Sequence, residues 1–300
     1  MKNVLIGLLF ASLWASASVA TKIGLESAPP LIIANARFFL AGIIMLFVAH
    51  IINRNPLPKT EDWKPLMIYG ILNVTVYLGA FVYAIREVSP GIGTLGVATN
   101  PLIISVLSSV WFRKKININI WIGLFIGMIG IAFATYPLLI SSTTTPRGLL
   151  ILTLSMVSYS VGTVYYSNRT WTLPRLVING WQVFLGGLLL VPLTLIMSDF
   201  EHIKLDTTYW FTVLWLAIPV SIGAVQLWLY LLSIDAVKAA LWLFLCPIFG
   251  FLYANLILNE PITLYTYIGT GLVILGLYIG QQSSLNGKAL NEVNPSKRGT

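Results

Sequence analysis

The sequence has little charge and almost no cysteine. Only 9% of its 300 residues are charged, against about 25% in a typical soluble domain, while 57% are apolar and the mean hydropathy is +0.85. So few charges cannot cover a water-facing surface, which excludes a soluble globular protein and places the chain in the membrane class. The single cysteine, Cys246, excludes an internal disulfide framework and a cysteine-based zinc site.

Acidic residues and histidines are scarce where an enzyme inside a membrane would need them. All ten Asp and Glu residues lie at the ends of apolar runs, in loops or in the tail, and His50 and His202 lie at or beyond such ends. The chain has no HExxH motif and no converging nucleophile, metal ligand or acid pair. We therefore expect neither an enzyme nor a bound metal or cofactor.

What the sequence has instead is a series of long apolar runs. A helix that crosses a bilayer needs about 20 apolar residues, and ten such runs are separated by the Pro, Asn and charge clusters that punctuate helices. Residues 283–300 are predicted to form a disordered polar tail. The predicted spans 1 to 10 are residues 3–22, 31–52, 63–84, 91–112, 119–139, 146–167, 177–197, 209–231, 236–258 and 264–282.

The first span has a second interpretation. Its basic start, apolar middle and small-residue end form the pattern of a cleavable signal peptide. An internal repeat, described below, disfavours this interpretation, because cleavage would remove the partner of span 6.

Lysine and arginine predict the orientation in the membrane. With the N-terminus inside, thirteen of the 18 cations lie on the cytoplasmic side and four outside, and Arg37 lies within a span. This is the bias of the positive-inside rule, so both termini are predicted to be cytoplasmic. The net charge of +8 resides in short loops and therefore does not indicate nucleic-acid binding.

The chain repeats itself after about half its length. Trp14 corresponds to Tyr159 at an offset of 145, and Pro101 corresponds to Pro247 at an offset of 146. Each half then holds five spans, and an odd number makes the second half enter the membrane upside down. We predict an all-α polytopic membrane protein with ten transmembrane helices as two inverted five-helix repeats. The predicted units are residues 1–142, 143–282 and the cytoplasmic tail 283–300.

Inverted repeats are typical of secondary transporters, because two similar halves of opposite orientation can exchange conformations and expose a site to each side in turn. Pro101 and Pro247 fall near the middle of spans 4 and 9. A proline there removes a backbone hydrogen bond and bends the helix. Matched interruptions indicate a central cavity, whereas a packing kink is the alternative for either proline alone.

Four segments carry a resemblance to a known family. LWASASVATKIG, NARFFLAG, YAIREVSPGIGTLGVATNPLIISVL and NEPITLYTYIGTGLVILGLYIG, in this order and spacing, resemble the EamA family of the drug/metabolite transporter superfamily. The resemblance covers the whole chain in two copies. It implies ten helices with cytoplasmic termini and movement of small metabolites, often export of amino acids or related compounds. We expect a location in the bacterial inner membrane.

Polar and aromatic residues at helical spacing predict the faces that bind a substrate. A buried Asn or Gln is costly in hydrocarbon without a partner, so these faces should point inward. Hydrogen bonding between helices is the alternative role for the same residues. The predicted substrate-binding residues are Trp14, Ser18, Arg37, Asn73, Tyr77, Asn100, Pro101, Tyr159, Thr163, Gln182, Gln226, Tyr230, Trp242 and Pro247.

Arg37 has two interpretations. It lies about 9 Å below the outer end of span 2, from where a long side chain could reach the interface. It could instead face the cavity and attract a substrate carboxylate. The aromatic candidates suit amphipathic or aromatic metabolites, although aromatic rings are also ordinary fillers of a core.

The predicted function is a secondary transporter, an exporter or facilitator of small metabolites, with a channel-like pore as the alternative. Proton relays use intramembrane Asp, Glu or His, so facilitated diffusion or exchange is at least as plausible as proton-driven transport. The expected partners are a small-molecule substrate and the lipid bilayer. Spans 5 and 10 are striped with glycine and are predicted to be packing helices or a homodimer surface.

Overall fold

The computed structural model of the protein describes residues 2–84, 87–88, 93, 96–113, 116–137, 145–201, 203–258 and 262–293, with the backbone alone at 112, 258 and 282–293. These residues form ten apolar helices joined by loops, and no strand occurs among them. The helices, numbered as the predicted spans, are α1 Lys2–Gly24, α2 Pro30–Ile52, α3 Thr60–Ala84, α4 Gly96–Trp111, α5 Ile118–Ala134, α6 Pro146–Asn168, α7 Arg175–Met197, α8 Thr207–Ile234, α9 Ala236–Ile257 and α10 Leu264–Val293.

The lengths of the helices agree with a multi-pass membrane protein. Eight are long and apolar enough to cross a bilayer, while α4 and α5 are shorter. The start of predicted span 4 and the end of predicted span 5 fall partly outside the described residues. The last helix continues to Val293, so the prediction of a disordered tail from residue 283 is wrong as far as this residue. The stretch KALNE within it consists mainly of good helix formers.

Side chains in the loops cap several helices. The Asp206 carboxylate accepts a hydrogen bond from the Tyr209 amide at 2.9 Å at the start of α8. The Asp235 carboxylate accepts one from the Val237 amide at 3.0 Å at the start of α9. Such caps satisfy amide groups that have no partner within the helix. The polar residues that separate the apolar runs therefore also define where these spans begin.

We expect Asp206→Asn to lower the melting temperature of the purified protein at neutral pH, with an effect that disappears in acid. The Tyr209 amide and then the Ser27 hydroxyl, which donates at 2.8 Å, hold the pKa of this carboxyl below its ordinary value. The resulting stability is present above the ordinary aspartate pKa of about 3.9 and is lost as the pH falls through the folded pKa. Melting curves of both proteins from neutral to acidic pH measure this, and a difference that stays constant would contradict it.

Contacts between helix ends divide them between two sides of the membrane. Lys2, at the start of α1, and Arg175, at the start of α7, both lie over the ring of Tyr230 near the end of α8, at 5.8 and 5.1 Å. At the opposite ends, Ser27 follows α1 and donates to Asp206, which precedes α8. The side on which α1 begins is termed the near side, and the other is termed the far side.

Helix α6 crosses the membrane in the direction opposite to α1. Arg147, at its start, lies 3.8 Å from the carboxylate of Glu87, which follows the far-side end of α3. Near its other end, the Ser167 hydroxyl donates to the Leu232 carbonyl at 3.1 Å, at the near-side end of α8. The first helix after the midpoint of the chain therefore runs from the far side to the near side.

Equivalent helices of the two halves make equivalent contacts. Helix α2 packs against α7, and α5 packs against α10. Helix α1 packs against α8 and α9, and its counterpart α6 packs against α3 and α4, which are the counterparts of α8 and α9. The result is two mixed bundles, α1–α8–α9 and α6–α3–α4, which contain helices from both halves of the chain.

Glycines allow α5 and α10 to meet backbone to backbone. A Cβ added at Gly123 would lie 2.5 Å from the Gly276 carbonyl oxygen, and one added at Gly269 would lie 2.4 Å from that of Gly130. Small residues permit this close approach of helices in membranes. The prediction of packing helices is therefore confirmed within one chain. The glycine stripes suggested a homodimer surface as well, but here these faces cover each other.

Five helices depart from α geometry: α2 ends in a π-helical segment at Phe47–Ile52, and four others are interrupted at equivalent places of the two halves. Helices α3 and α8 contain π-helical segments at Ile71–Val76 and Leu216–Ala224. Helix α9 contains a 3₁₀ turn at Trp242–Phe244 and α4 has a turn at residue 99. Each of these last two lies just before the proline of its helix, Pro247 or Pro101, because a proline clashes with the carbonyl four residues back. The predicted interruptions of spans 4 and 9 are therefore present.

Candidate functional site

Aromatic rings from four helices meet where the two bundles face each other. The Tyr159 ring of α6 lies 4.8 Å from the Tyr77 ring of α3, between centroids. It also lies 6.4 Å from Trp14 of α1 and 6.3 Å from Trp228 of α8. Phe10 of α1 stacks on Trp228 at 4.9 Å. These five residues are termed the aromatic centre, and it brings together the predicted site residues Trp14, Tyr77 and Tyr159.

A chain of side-chain amides connects α3, α7 and α8. Asn73 donates to Gln182 at 3.1 Å, and Gln182 donates to Asn179 at 3.0 Å. Asn179 in turn donates to the Ser221 carbonyl at 3.0 Å, within the π-helical segment of α8. Gln182 and Asn179 are fully buried. The structure thus joins the predicted residues Asn73 and Gln182 by a hydrogen bond. Asn73 lies one turn before Tyr77 on α3.

Several buried polar groups of this region lack a hydrogen-bond partner. Among the described residues, three such groups are the Tyr69 hydroxyl, the side-chain amide oxygen of Asn73 and the Trp228 indole nitrogen. The hydroxyls of Tyr159 and Thr163, one turn apart on α6, make no hydrogen bond to another helix. Buried polar groups in proteins are almost always satisfied, and leaving them unsatisfied is costly. Water or a polar solute between the bundles would satisfy these groups.

Packed rings close the region toward the near side. The Tyr69 ring lies 5.3 Å from that of Tyr166 and 6.4 Å from that of Trp171, and the Trp171 indole donates to the Tyr166 carbonyl at 3.0 Å. Tyr69 and Tyr166 are buried, whereas Tyr77, two turns toward the far side on α3, is half-buried. These three rings, Tyr69, Tyr166 and Trp171, are termed the near-side cluster. These rings lie between the aromatic centre and the near-side ends of α3 and α6.

Asn100 and Pro101 lie in the contact between α4 and α6. Both are buried, and the Ser160 hydroxyl donates to the Asn100 side-chain oxygen at 3.2 Å. The Ser105 hydroxyl donates to the Pro101 carbonyl at 2.7 Å. The interhelical role that the sequence left open for Asn100 is thus present in the structure.

Three other predicted site residues lie apart from the aromatic centre. Ser18 is exposed, and its hydroxyl donates to the Ala15 carbonyl of its own helix at 2.8 Å. Gln226 donates to the Arg175 carbonyl at 3.3 Å, and the Tyr230 ring lies under the Arg175 guanidinium at the near-side end of α8. The structure thus does not join Gln226 and Tyr230 to the other candidates.

The two candidates of α9 contribute to packing and helix shape. Trp242 is buried, and a Cβ added at Gly7 would lie 2.2 Å from its ring, so the ring fills the space that this glycine leaves on α1. Pro247 is half-buried and follows the 3₁₀ turn that interrupts the helix.

Sequence reasoning missed Tyr69, Trp228 and Asn179. Tyr69 lies one turn before Asn73, so the spacing that selected Asn73 and Tyr77 could have found it. Trp228 lies on the other face of α8 from Gln226, and polarity alone favoured the face of Gln226. Asn179 lies one turn before Gln182, at the same spacing.

A separate cleft of about 370 Å³ lies between α4 and α6. Its lining is almost entirely apolar and includes none of the predicted site residues. The lining residues are Gly96, Thr99, Ile103, Leu149, Leu152, Thr153 and Met156.

The aromatic centre consists of rings, with side-chain amides beside it. The described residues hold no cluster of three or more His, Cys, Asp or Glu side chains able to bind a metal ion. The Cys246 thiol is buried within the apolar core.

Such a centre between bundles of apolar helices is that of a multi-pass membrane transporter. A family model described as the EamA-like transporter family matches residues 1–136 and 146–279. The chain belongs to this family, as its sequence motifs indicated, and it is a transporter and not an enzyme.

Similar proteins carry compatible names. "Uncharacterized transporter sll0355" of Synechocystis sp. is 26% identical over 90% of this chain and 87% of its own. "Uncharacterized transporter YoaV" of Bacillus subtilis is 24% identical over 93% of this chain and 97% of its own. "Uncharacterized inner membrane transporter YedA" of Escherichia coli is 25% identical over 92% and 90%. A solved crystal structure shares the fold, with a TM-score of 0.80 at 18% identity over 96% of this chain and 98% of that one.

Proposed function

We propose that the protein carries small metabolites across the bacterial inner membrane by alternating access around the aromatic centre. Its architecture in this proposal is ten helices in two inverted repeats, with both termini in the cytoplasm. Amino acids and related compounds are the proposed solutes, moved by export or by facilitated passage. Substrate contact is assigned to Trp14, Tyr77 and Tyr159 with Asn73 and Thr163.

The observation that carries this proposal is the set of unpartnered polar groups beside the rings. Tyr159 and Trp228 offer a hydroxyl and an indole N–H without a partner on another helix, although both side chains are buried. A scaffold would gain stability from satisfied or apolar groups at these positions. Groups kept free between two bundles suit a solute that binds and leaves.

Three observations support the inverted repeat. The family model matches the chain in two successive stretches, 1–136 and 146–279. Helix α6 runs opposite to α1, and equivalent helices of the two halves make equivalent contacts. Two copies in opposite orientation give the exchange of conformations that alternating access requires.

The orientation rests on the distribution of cations. Most Lys and Arg residues lie in the loops on the near side, which is the cytoplasmic side under the positive-inside rule. The printed name of YedA, an inner membrane transporter, is compatible with the same location for this chain.

The near-side cluster favours a carrier over a channel-like pore. Packed rings of Tyr69, Tyr166 and Trp171 cover the centre on one side, as a carrier requires in each of its end states. A carrier also shows exchange of labelled for unlabelled solute, and a channel does not.

A flux screen in proteoliposomes tests the proposal and identifies the solutes with which Tyr159→Phe can be measured. The screen covers amino acids and small organic ions, with and without a pH gradient. For solutes that move, we expect Tyr159→Phe to change flux by about 2- to 10-fold, the effect of one hydrogen bond, while the melting temperature stays at or above that of the wild type. The reason is that the hydroxyl has no partner on another helix to lose.

Tyr267→Phe is the matched control, because this tyrosine is 66% exposed on α10. It should leave both flux and melting temperature unchanged. A fall in melting temperature for Tyr159→Phe with unchanged flux would give that hydroxyl a structural role instead. Absence of flux for every solute would reject the transport proposal.

A further inference from the structure

Arg37 lies two turns inside α2, and none of the residues that the structure describes forms an ion pair with it. Its side chain is half-buried, and its guanidinium carbon lies 4.5 Å from the ring centre of Phe38, the next residue. The Nε atom is buried and makes no hydrogen bond within the described part of the chain. A cation within the membrane is costly and normally pairs with an anion or reaches water. The Nε–H group of Arg37 is therefore available to donate a hydrogen bond to a bound solute.

No carboxylate that the structure describes pairs with Arg37. The ion pair of Arg147 and Glu87 lies at far-side helix ends, and all acidic residues of the sequence lie at span ends, in loops or in the tail. The protein thus places a fixed positive charge within the membrane and leaves it without a negative partner of its own.

Depth and helix packing connect Arg37 to the aromatic centre. Helix α2 packs against the part of α3 that begins at Tyr77. Tyr77 lies seven residues before the far-side end of α3, and Arg37 lies seven residues after the far-side start of α2, so both are about 10 Å from that interface. The buried Nε atom does not favour the alternative, a side chain that reaches along α2 to the interface.

We propose that Arg37 binds the carboxylate of the transported solute, whose apolar part packs against the rings of Trp14, Tyr77 and Tyr159. This proposal rests on the proposed transport function and names the class of substrate: small aromatic or amphipathic monocarboxylates. A guanidinium binds a carboxylate through two parallel N–H donors, and the free Nε is one such donor. The rings supply apolar contact area for the rest of the solute.

Charge balance selects a monoanion. One guanidinium neutralises one carboxylate, so the occupied centre carries no net charge from this pair. A dianion such as a phosphate monoester would leave a negative charge unbalanced in a low-dielectric setting, which is unfavourable. The same reasoning predicts that an uncharged amide of equal shape binds less tightly than the acid.

The experiment compares three probes on the purified full-length protein in nanodiscs. The probes are 3-phenylpropionate, its uncharged analogue 3-phenylpropanamide and the dianion phenyl phosphate, and binding is followed by tryptophan fluorescence. For the wild type we expect the acid to bind at least about tenfold tighter than either other probe, as an extra charge-assisted hydrogen bond would give. Equal affinities for acid and amide would overturn the proposal without any variant.

Substitutions then test whether Arg37 causes the preference for the acid. Arg37→Gln should abolish the preference for the acid while binding of the amide persists, and Arg37→Lys should keep part of it. Arg175→Gln, which removes an exposed cation at the near-side end of α7, should keep all of it. If Arg37→Gln does not fold, Arg37→Lys carries the test, because loss of the two-donor geometry should still reduce the preference. An unreduced preference in the folded Arg37 variants would overturn the assignment.

Failure of this inference is distinguishable from failure of the transport proposal. In proteoliposomes the wild type and Arg37→Gln should both carry the uncharged 3-phenylpropanamide, and only the wild type should carry 3-phenylpropionate efficiently. Equal flux of the acid through both proteins rejects the role of Arg37 and leaves transport in place. Absence of all flux through the wild type rejects transport itself.

Discussion

Replacing Gly276 with leucine is expected to abolish recovery of folded protein, whereas Gly271→Leu on the same helix leaves it near the wild-type level. A Cβ at position 276 would lie 2.6 Å from the Gly123 carbonyl oxygen and 2.7 Å from the Gly127 amide nitrogen. Both obstacles are backbone atoms, which cannot rotate away as a side chain can. At Gly271 no atom lies within 4 Å of an added Cβ.

The size of the effect follows from how α5 and α10 are joined. Extra atoms in an adaptable core already cost about 1–3 kcal/mol, and here the two helices would have to separate along their shared face. Size-exclusion chromatography of detergent-solubilised protein measures the yield of the folded species, and thermal melting measures its stability. Equal yields of the two variants would contradict the backbone-to-backbone contact of these helices.

Gln182→Leu is expected to destabilise the protein and abolish transport, whereas Gln226→Leu changes little. Loss of the Gln182 amide leaves the amide nitrogen of Asn73 and the amide oxygen of Asn179 without their partner in a buried place. Two orphaned groups cost about 2–4 kcal/mol together. Asn73 also lies one turn from Tyr77, so its displacement alters the aromatic centre.

Gln226 provides the matched substitution. It makes one hydrogen bond, to the Arg175 carbonyl, at the half-exposed near-side end of α8. The two residues had the same predicted role, and only the structure separates them. Melting temperature and flux, measured together, decide the outcome. A Gln226→Leu variant that loses transport while Gln182→Leu retains it would show that the site lies at the near-side end of α8.

The helices were predictable because lipid imposes one rule on the whole chain. Backbone groups in hydrocarbon must be satisfied within each segment, so apolar length translates directly into helices. Glycine stripes predicted that α5 and α10 pack closely, but a stripe has the same form whether its partner is the same chain or a second copy. Only the structure shows that Gly123 faces Gly276 and Gly130 faces Gly269.

The candidate site was predictable where helical spacing and polarity agree. Trp14, Tyr77 and Tyr159 were found because large rings recur on one face near the middle of a span. Gln226 and Tyr230 have the same spacing, yet their side chains contact Arg175 at the start of α7 and not the rings of the centre. Residue spacing reports a face of a helix and does not report which neighbour that face meets.

Arg37 illustrates a different limit. Its depth in α2 could be read from the sequence, but the direction of a long side chain depends on the surrounding packing. Trp228 illustrates a third. It lies two residues from Gln226, on another face of α8, and polarity alone selected Gln226.

The π turns of α3 and α8 lie directly before two residues of the aromatic centre. A π turn holds an additional residue, so its return to α geometry would advance the following segment by one position, or about 100° around its axis. Tyr77 directly follows Ile71–Val76, and Trp228 lies shortly after Leu216–Ala224. Such a rotation would turn both rings about their own helix axes and would change which side chains face the space between the bundles.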